Sequence, residues 1–310
     1  MGYSRDVLKD SGNVITTSDL TRYYGPIRGI DGVNLNVRQG EVFGFLGPNG
    51  AGKTTTIRIL LDMIRPTSGS AQVFGLDVRR DSVQIRRRLG NLPGDVALYD
   101  TLRGMEVLKL LGSFRGPAGT RRVPELAERL SLDLSRTVRA YSHGMKQKLA
   151  IIQAFMHDPE LLILDEPTLG LDPLMQHEFY SLVMEEKARG KTVFLSSHIL
   201  PEVERVCDRV GIIREGRLVA VEEVESLKRK KLRKMDLVLK EEPSEAMLRL
   251  PGAQLVRRDG MRLEYLVSGE VAALLKEVAK LPVQDIVFPE PTLEEAFLEF
   301  YQPHAVESLV

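Results

Sequence analysis

One glycine-rich segment fits the pattern G-x-x-x-x-G-K-[ST] at each fixed position. It consists of Gly47-Pro48-Asn49-Gly50-Ala51-Gly52-Lys53-Thr54, followed by Thr55. Glycines let the backbone curve so that successive N–H groups point at phosphate oxygens, and a helix N-terminus adds its positive dipole end. Lys53 would contact the β- and γ-phosphates, and the Thr54 hydroxyl would bind Mg²⁺. The segment therefore predicts a nucleoside triphosphate site rather than a glycine-rich turn without a ligand.

A pair of carboxylates, Asp165-Glu166, directly follows the apolar run Leu161 to Leu164. Asp165 would hold Mg²⁺ directly or through water. Glu166 could polarise the water that attacks the γ-phosphate. Paired carboxylates at a strand end also occur as helix caps or surface turns, but the phosphate loop earlier in the chain favours the metal and catalytic roles.

Short β-branched runs alternate with helical stretches between Val14 and about Leu227, which is typical of an α/β domain. Apolar runs predict buried strands over Val42 to Leu46, Leu161 to Leu164 and Thr192 to Leu195. The first of these leads into the phosphate loop, and a helical run over Thr55 to Ile64 leads out of it. Since the carboxyl ends of parallel strands share one edge of a sheet, we expect the chemistry to collect there.

The C-terminal part predicts a small α+β domain over residues 235–302, with no catalytic signature of its own. Strands are expected over Met235 to Leu239 and Val283 to Phe288, and a hairpin around Asp259-Gly260-Met261. A helix is expected over Glu270 to Lys280, and Thr292 with Glu295 forms a capping box for a last helix through Phe300. Residues 1–13 and 303–310 are expected to be tails.

A basic cluster, residues 228–234, separates the two predicted domains. It is either a solvated linker or a contact for anionic lipid headgroups, and a run this short does not distinguish the two.

The composition is that of an ordinary soluble protein, with 43% hydrophobic residues, 28% charged residues and a formal net charge of +0. This charge balance gives no reason to expect nucleic acid as a partner. The single Cys207 excludes a disulfide within the chain and suits a reducing cytosol. No run approaches the roughly 18 apolar residues that cross a bilayer, and residues 1–10 lack the apolar core of a secretory signal. We therefore expect a cytoplasmic protein.

The segment Tyr141 to Leu149 resembles the LSGGQ signature of the nucleotide-binding subunits of ABC transporters. Ser142 and Gly144 match that pattern, whereas Tyr141, His143 and Met145 depart from it. The resemblance implies that Ser142 and Gly144 cap the γ-phosphate of the nucleotide bound by the opposite subunit. His143 either adds a donor to that phosphate or merely replaces glycine and faces solvent.

Further segments resemble the same family in the same order. Leu169 to Pro173 resembles the D-loop, which crosses the dimer interface, and His198 resembles the switch histidine, a γ-phosphate sensor. Tyr24 is similar to the aromatic residue that stacks on adenine, with Tyr23 as the alternative. The glutamine that contacts Mg²⁺ and the attacking water in this family is replaced by Gly94, and Asp95 is a candidate substitute.

The resemblance implies an α/β P-loop ABC ATPase domain over residues 14–227, with a helical subdomain at about 95–155. It implies a transport-coupled ATP hydrolase that uses ATP and Mg²⁺, with Glu166 and His198 as catalytic residues. The partners would be a second ATPase subunit, most simply a second copy, and a separately encoded integral membrane permease. The chain would then lie at the cytoplasmic face of the membrane.

The segment Glu290 to Phe297 resembles the end of ABC-2-type exporters, which favours export over import. The alternatives are an ABC-type ATPase of translation or DNA repair, and a regulatory subunit with weak catalysis. Neither a second phosphate loop nor a sustained heptad run supports the first alternative, and Glu166 argues against the second.

Overall fold

Strands and helices alternate along most of the chain, as the sequence pattern predicts. The computed structural model describes residues 12–229, 233–244, 248–268 and 271–289, and these ranges contain fourteen strands and nine α-helices. The strands are β1 (Asn13–Tyr24), β2 (Ile27–Arg38), β3 (Val42–Leu46), β4 (Ser68–Val73), β5 (Leu76–Asp77), β6 (Leu89–Leu92), β7 (Leu161–Asp165), β8 (Thr192–Ser197), β9 (Arg209–Arg214), β10 (Arg217–Glu223), β11 (Arg233–Leu239), β12 (Ala253–Asp259), β13 (Arg262–Val267) and β14 (Val283–Val287). The helices are α1 (Lys53–Leu60), α2 (Ser82–Arg88), α3 (Gly104–Ser113), α4 (Val123–Arg129), α5 (His143–Phe155), α6 (Pro173–Ala188), α7 (Leu200–Val206), α8 (Val224–Arg229) and α9 (Val271–Val278).

A six-stranded sheet in the order β10-β9-β3-β8-β7-β6 carries the predicted site. Strands β9, β3, β8, β7 and β6 run parallel, and β10 is antiparallel to β9. The three predicted apolar strands are confirmed as β3, β7 and β8, and every residue of each is buried. Their carboxyl ends meet at one edge, because Leu46 pairs with Ser197 and Asp165 pairs with Ser196.

An antiparallel sheet, β2-β1-β4-β5, shares one apolar core with the six-stranded sheet and α1. Leu35, Phe45 and Ile59 are buried members of that core. Asn13, expected at the end of a tail, instead opens β1, because it pairs with Arg38 of β2. Residues 1–11 of the expected tail lie outside the described ranges.

The helix after the phosphate loop begins and ends earlier than the predicted run of Thr55 to Ile64. Helix α1 begins at Lys53, directly after Gly52, and ends at Leu60. Asp62, with φ of 53°, adopts the left-handed conformation that an α-helix cannot contain. The first N–H groups of a helix have no partner inside the helix. Because α1 begins at Lys53, these groups lie at the end of the phosphate loop.

Helices α3, α4 and α5 fall within the residues where a helical subdomain is expected. A buried guanidinium links this part to α6: Arg122, directly before α4, contacts Glu186 at 2.5 Å. The side chain of Glu186 is 1% exposed, so the pair is shielded from water.

The described chain divides into two units between Glu223 and Val224. In the second unit an antiparallel sheet, β12-β13-β11-β14, shares an apolar core with α9 that contains Leu237, Tyr265 and Leu274. The predicted hairpin is confirmed as β12 and β13. The predicted domain limits remain predictions.

Further sequence predictions fall partly or wholly outside the described ranges, among them the exporter-like segment Glu290 to Phe297 and the tail 303–310. The predicted basic linker, 228–234, overlaps the end of α8 and the start of β11, and residues 230–232 lie outside the description. The predicted capping box, Thr292 with Glu295, also lies outside it. In the described ranges no helix combines the length and the apolar character that crossing a bilayer requires.

Candidate active site

The phosphate loop leaves the buried strand β3 and turns directly into α1. Gly50 and Gly52 have φ of 79° and 109°, a region that residues with a Cβ rarely adopt. A Cβ on Gly52 would lie 2.8 Å from the Gly29 carbonyl oxygen, so glycine is also required for space at this position. The loop geometry therefore needs glycine where the sequence pattern has it.

Lys53 is buried, and its ammonium group turns back onto the loop. Its Nζ donates to the carbonyl oxygen of Gly47 at 2.7 Å and to that of Pro48 at 3.2 Å. It also lies 3.3 Å from Oε1 of Glu166. A phosphate chain that enters the loop would offer this ammonium group stronger, charged acceptors.

The two predicted Mg²⁺ ligands contact each other. Thr54 Oγ1 donates to Asp165 Oδ2 at 2.8 Å, and Ser196 Oγ donates to Asp165 Oδ1. One hydroxyl and one carboxylate suit Mg²⁺, which binds hard oxygen ligands and keeps several sites for water and substrate phosphate. Among the described residues, no cluster of three or more histidine, cysteine or acidic side chains could hold a metal ion.

Glu166 and His198 lie side by side, as their predicted roles require. Glu166 Oε1 is 3.2 Å from His198 Nδ1, and the His198 side chain is 39% exposed. The backbone N–H of Glu166 donates to the carbonyl oxygen of Ser196 at 3.2 Å and to its Oγ at 3.1 Å. The carboxylate thus lies between the Lys53 ammonium group and the His198 ring, at the edge where β7 and β8 end.

A cavity of ≈ 760 Å³ lies at this edge of the sheet, and its volume suits a nucleotide. Its lining includes Asn49, Gly50, Gly52, Lys53, Thr54, Thr55, Asp165 and Glu166. Gly94 and Asp95 also line it, and a Cβ on Gly94 would lie 3.2 Å from Asp165 Oδ2. Gly94 therefore lies beside Asp165, the predicted metal ligand, at the position where the resemblance predicts a glutamine.

Tyr24 lies near the wall of this cavity. A Cβ on Gly29, a lining residue, would be 2.8 Å from Cε2 of Tyr24. The ring is 39% exposed, and the guanidinium of Arg22 lies over it at 4.7 Å. An exposed ring at this place is available for stacking, so Tyr24 remains the better prediction than Tyr23 for contact with adenine.

The signature segment does not join the other site residues within the chain. Ser142 caps α5, because its Oγ accepts a hydrogen bond from the Met145 N–H at 3.3 Å. Neither Ser142 nor Gly144 is among the described residues that line the cavity. His143 is exposed at the start of the same helix.

A buried carboxyl group behind the His198 turn was not predicted from the sequence. Glu202 is 2% exposed, and its Oε2 accepts a hydrogen bond from Ser197 Oγ at 2.5 Å. Ser197 Oγ also accepts from the Ile199 N–H at 2.9 Å, so this hydroxyl spans the turn that carries His198. Burial raises the pKa of Glu202 above its ordinary value, although the nearby hydroxyls of Ser197 and Thr168 oppose the shift.

Comparison with known proteins agrees with the site geometry. The ABC transporter family profile matches residues 30–169. The bacitracin transport ATP-binding protein BcrA of Bacillus licheniformis is 37% identical over 295 residues, which cover 92% of this chain and 96% of the relative. The daunorubicin resistance ATP-binding protein DrrA3 of Streptomyces coeruleorubidus is 36% identical over 299 residues, covering 92% and 94%.

Solved structures give the same result. The structure of an ATP-binding subunit of an ABC transporter superposes with a TM-score of 0.66 at 34% identity, and covers 70% of this chain and 92% of that one. A dimeric bacterial ABC transporter cassette, at 24% identity and a TM-score of 0.63, shares the fold. These relatives favour transport over translation or DNA repair. The chain belongs to the ABC transporter family, as an ATP-binding subunit that hydrolyses ATP to power transport.

Proposed function

We propose that two copies of this chain form a dimer with two composite ATP sites and drive export through a separate membrane subunit. In each site one copy supplies Lys53, Thr54, Asp165 and Glu166, and the other supplies Ser142 and Gly144. One observation carries this proposal: a single chain gathers the first group around one cavity but leaves the signature residues outside it. In the proposed dimer, the signature residues of the other copy complete the contacts to the phosphates.

The residues of one copy have distinct tasks in this scheme. The loop N–H groups and Lys53 hold the phosphates, and the Tyr24 ring stacks on adenine. Glu166 orients the attacking water and accepts its proton, while His198, 3.2 Å from Glu166, contacts the γ-phosphate. Thr54 and Asp165 would hold Mg²⁺, which neutralises charge on the phosphate oxygens when it is bound.

We infer the cargo class from the relatives alone. Those relatives are named for bacitracin transport and for daunorubicin resistance, which favours an antibiotic or a similar drug as cargo. The membrane subunit, rather than this chain, would contact the cargo. This chain would then lie peripherally at the cytoplasmic face of the membrane.

Glu166→Gln tests the catalytic part of the proposal. We expect it to lower ATP turnover at least ~100-fold, because the neutral amide cannot accept the water's proton. It should retain ATP binding and form a dimer that size-exclusion chromatography with light scattering detects only with ATP. The exposed Glu128→Gln on α4 is the matched control and should keep full turnover. Turnover that survives Glu166→Gln, or a monomer at saturating ATP, would refute the proposal.

A further inference from the structure

The backbone of Glu166 has a conformation that its residue type disfavours. Its φ is +47°, in the left-handed region that residues with a Cβ rarely adopt outside functional sites. On the N-terminal side two hydrogen bonds from its N–H to Ser196 hold this conformation. Because the conformation sets the direction of the carboxylate, the C-terminal side must also be held.

On that side the Leu169 N–H donates to the Glu166 carbonyl oxygen at 3.2 Å, and Gln147 of α5 supplies a contact from another element. Its side chain is 3% exposed, and its Nε2 donates to the carbonyl oxygen of Pro167 at 2.8 Å. Pro167 directly follows Glu166, so this bond fixes the Pro167–Thr168 peptide group, one residue beyond the strained position. Without the Gln147 amide, the Pro167 carbonyl oxygen would lose this donor, and at a buried position water could not readily replace it.

The same helix contacts the next part of the loop at its first turn. A Cβ on Gly144 would lie 2.8 Å from the carbonyl oxygen of Gly170, and a Cβ on Gly170 would collide with the His143 ring. Helix α5 therefore touches the segment from Pro167 to Gly170 at two places. Its N-terminal cap is Ser142, the residue proposed to reach the partner's nucleotide.

We propose that Gln147 is a positioning residue, which holds Glu166 in its reactive conformation and links it to α5, the helix that begins in the signature segment of the same copy. This inference rests on the proposed role of Glu166. Gln147 acts on the site that contains its own Glu166, and it has no part in binding the nucleotide of the partner's site.

Gln147→Leu tests this role, because leucine fills similar space without a donor. We expect kcat to fall about tenfold, which corresponds to ~1.4 kcal/mol. The KM for ATP should change less than twofold, because Lys53 and Thr54 do not contact residue 147. Gln153→Leu, a half-buried glutamine later in the same helix, is the control and should keep its kcat. An unchanged kcat in Gln147→Leu, or an equal loss in both variants, would overturn the proposal.

Mixed dimers separate positioning from a general structural effect. In the first arrangement one copy carries Gln147→Leu and the other Glu166→Gln, so the remaining Glu166 lies beside the altered residue. In the second arrangement one copy carries both changes, and the remaining Glu166 lies beside an intact Gln147. The reference is a mixed dimer in which one copy carries Glu166→Gln and the other copy is unaltered. Relative to the ATP turnover of this reference, we expect the first arrangement to be about tenfold slower and the second to be equal.

Equal slowing in both arrangements would overturn the proposal, because the effect would then not follow the altered copy. If the reference mixed dimer shows no turnover, the kcat of Gln147→Leu in the unmixed protein decides the inference. Failure of the chain to dimerise with ATP would instead refute the two-copy function, which keeps the two results distinct.

Discussion

Replacing Ser196 by alanine removes one hydroxyl that serves two neighbours where β7 and β8 end. Ser196 is fully buried, and its Oγ donates to Asp165 Oδ1 and accepts from the Glu166 N–H at 3.1 Å. After the change, Asp165 keeps the bond from Thr54 at 2.8 Å, and the Glu166 N–H keeps the Ser196 carbonyl oxygen at 3.2 Å. The net loss is therefore one donor to a buried carboxylate.

A hydrogen bond to a charged group contributes about 1.5–3 kcal/mol. Since the backbone bond of Glu166 remains, we expect the free energy of unfolding to fall by ~2 kcal/mol. The carboxylate of Asp165 also becomes free to turn, and loss of such a supporting contact typically weakens metal binding by about 10–100-fold. We expect the Mg²⁺ concentration for half-maximal ATP turnover to rise about tenfold.

Urea unfolding in the presence of a chelator measures the first quantity, and Mg²⁺ titration of ATP turnover at fixed ATP measures the second. Ser181→Ala is the control, because that hydroxyl is exposed and donates to the His177 carbonyl oxygen within its own helix, at 3.1 Å. If Ser196→Ala unfolds at the parent's urea concentration and needs no additional Mg²⁺, the Ser196 hydroxyl does not position Asp165.

Two further changes test charge burial. Arg122→Met leaves the buried Glu186 with Arg189, at 3.0 Å, as its remaining ion-pair partner among the described residues. It should lower the free energy of unfolding, measured in urea, by ~3 kcal/mol, whereas the exposed control Arg217→Met should leave that free energy nearly unchanged. Burial, together with the nearby Arg115, lowers the pKa of His157 from 6.5 to about 4. The unfolded state then binds more protons, so stability is complete above pH ~6.5 and falls toward pH ~4 by at most ~3 kcal/mol. His157→Gln should flatten this slope relative to the parent, and an identical slope would contradict the burial argument.

Much of the candidate site could be predicted from local sequence. The phosphate loop is a contiguous run in which glycine spacing, Lys53 and the following helix act together, and the structure places Thr54 against Asp165 as that pattern requires. The strands β3, β7 and β8 were predictable because buried parallel strands are short, continuous apolar runs. The prediction of a tail was wrong at Asn13, because the local sequence around this polar residue does not indicate that it pairs with Arg38, 25 positions later.

The sequence by itself determined which candidate groups are present: a phosphate loop, a carboxylate proposed to hold Mg²⁺, a carboxylate proposed as the general base, and a segment that resembles the signature. The tertiary structure alone decided which of them meet. It placed Lys53 and Glu166 at one cavity, with His198 beside Glu166, and left Ser142 outside that cavity. It also brought Ser196 and Gln147 to either side of the Glu166 backbone. Those contacts join residues from different strands and helices, and side-chain hydrogen bonds of this kind depend on sheet register and helix packing, which no local pattern encodes.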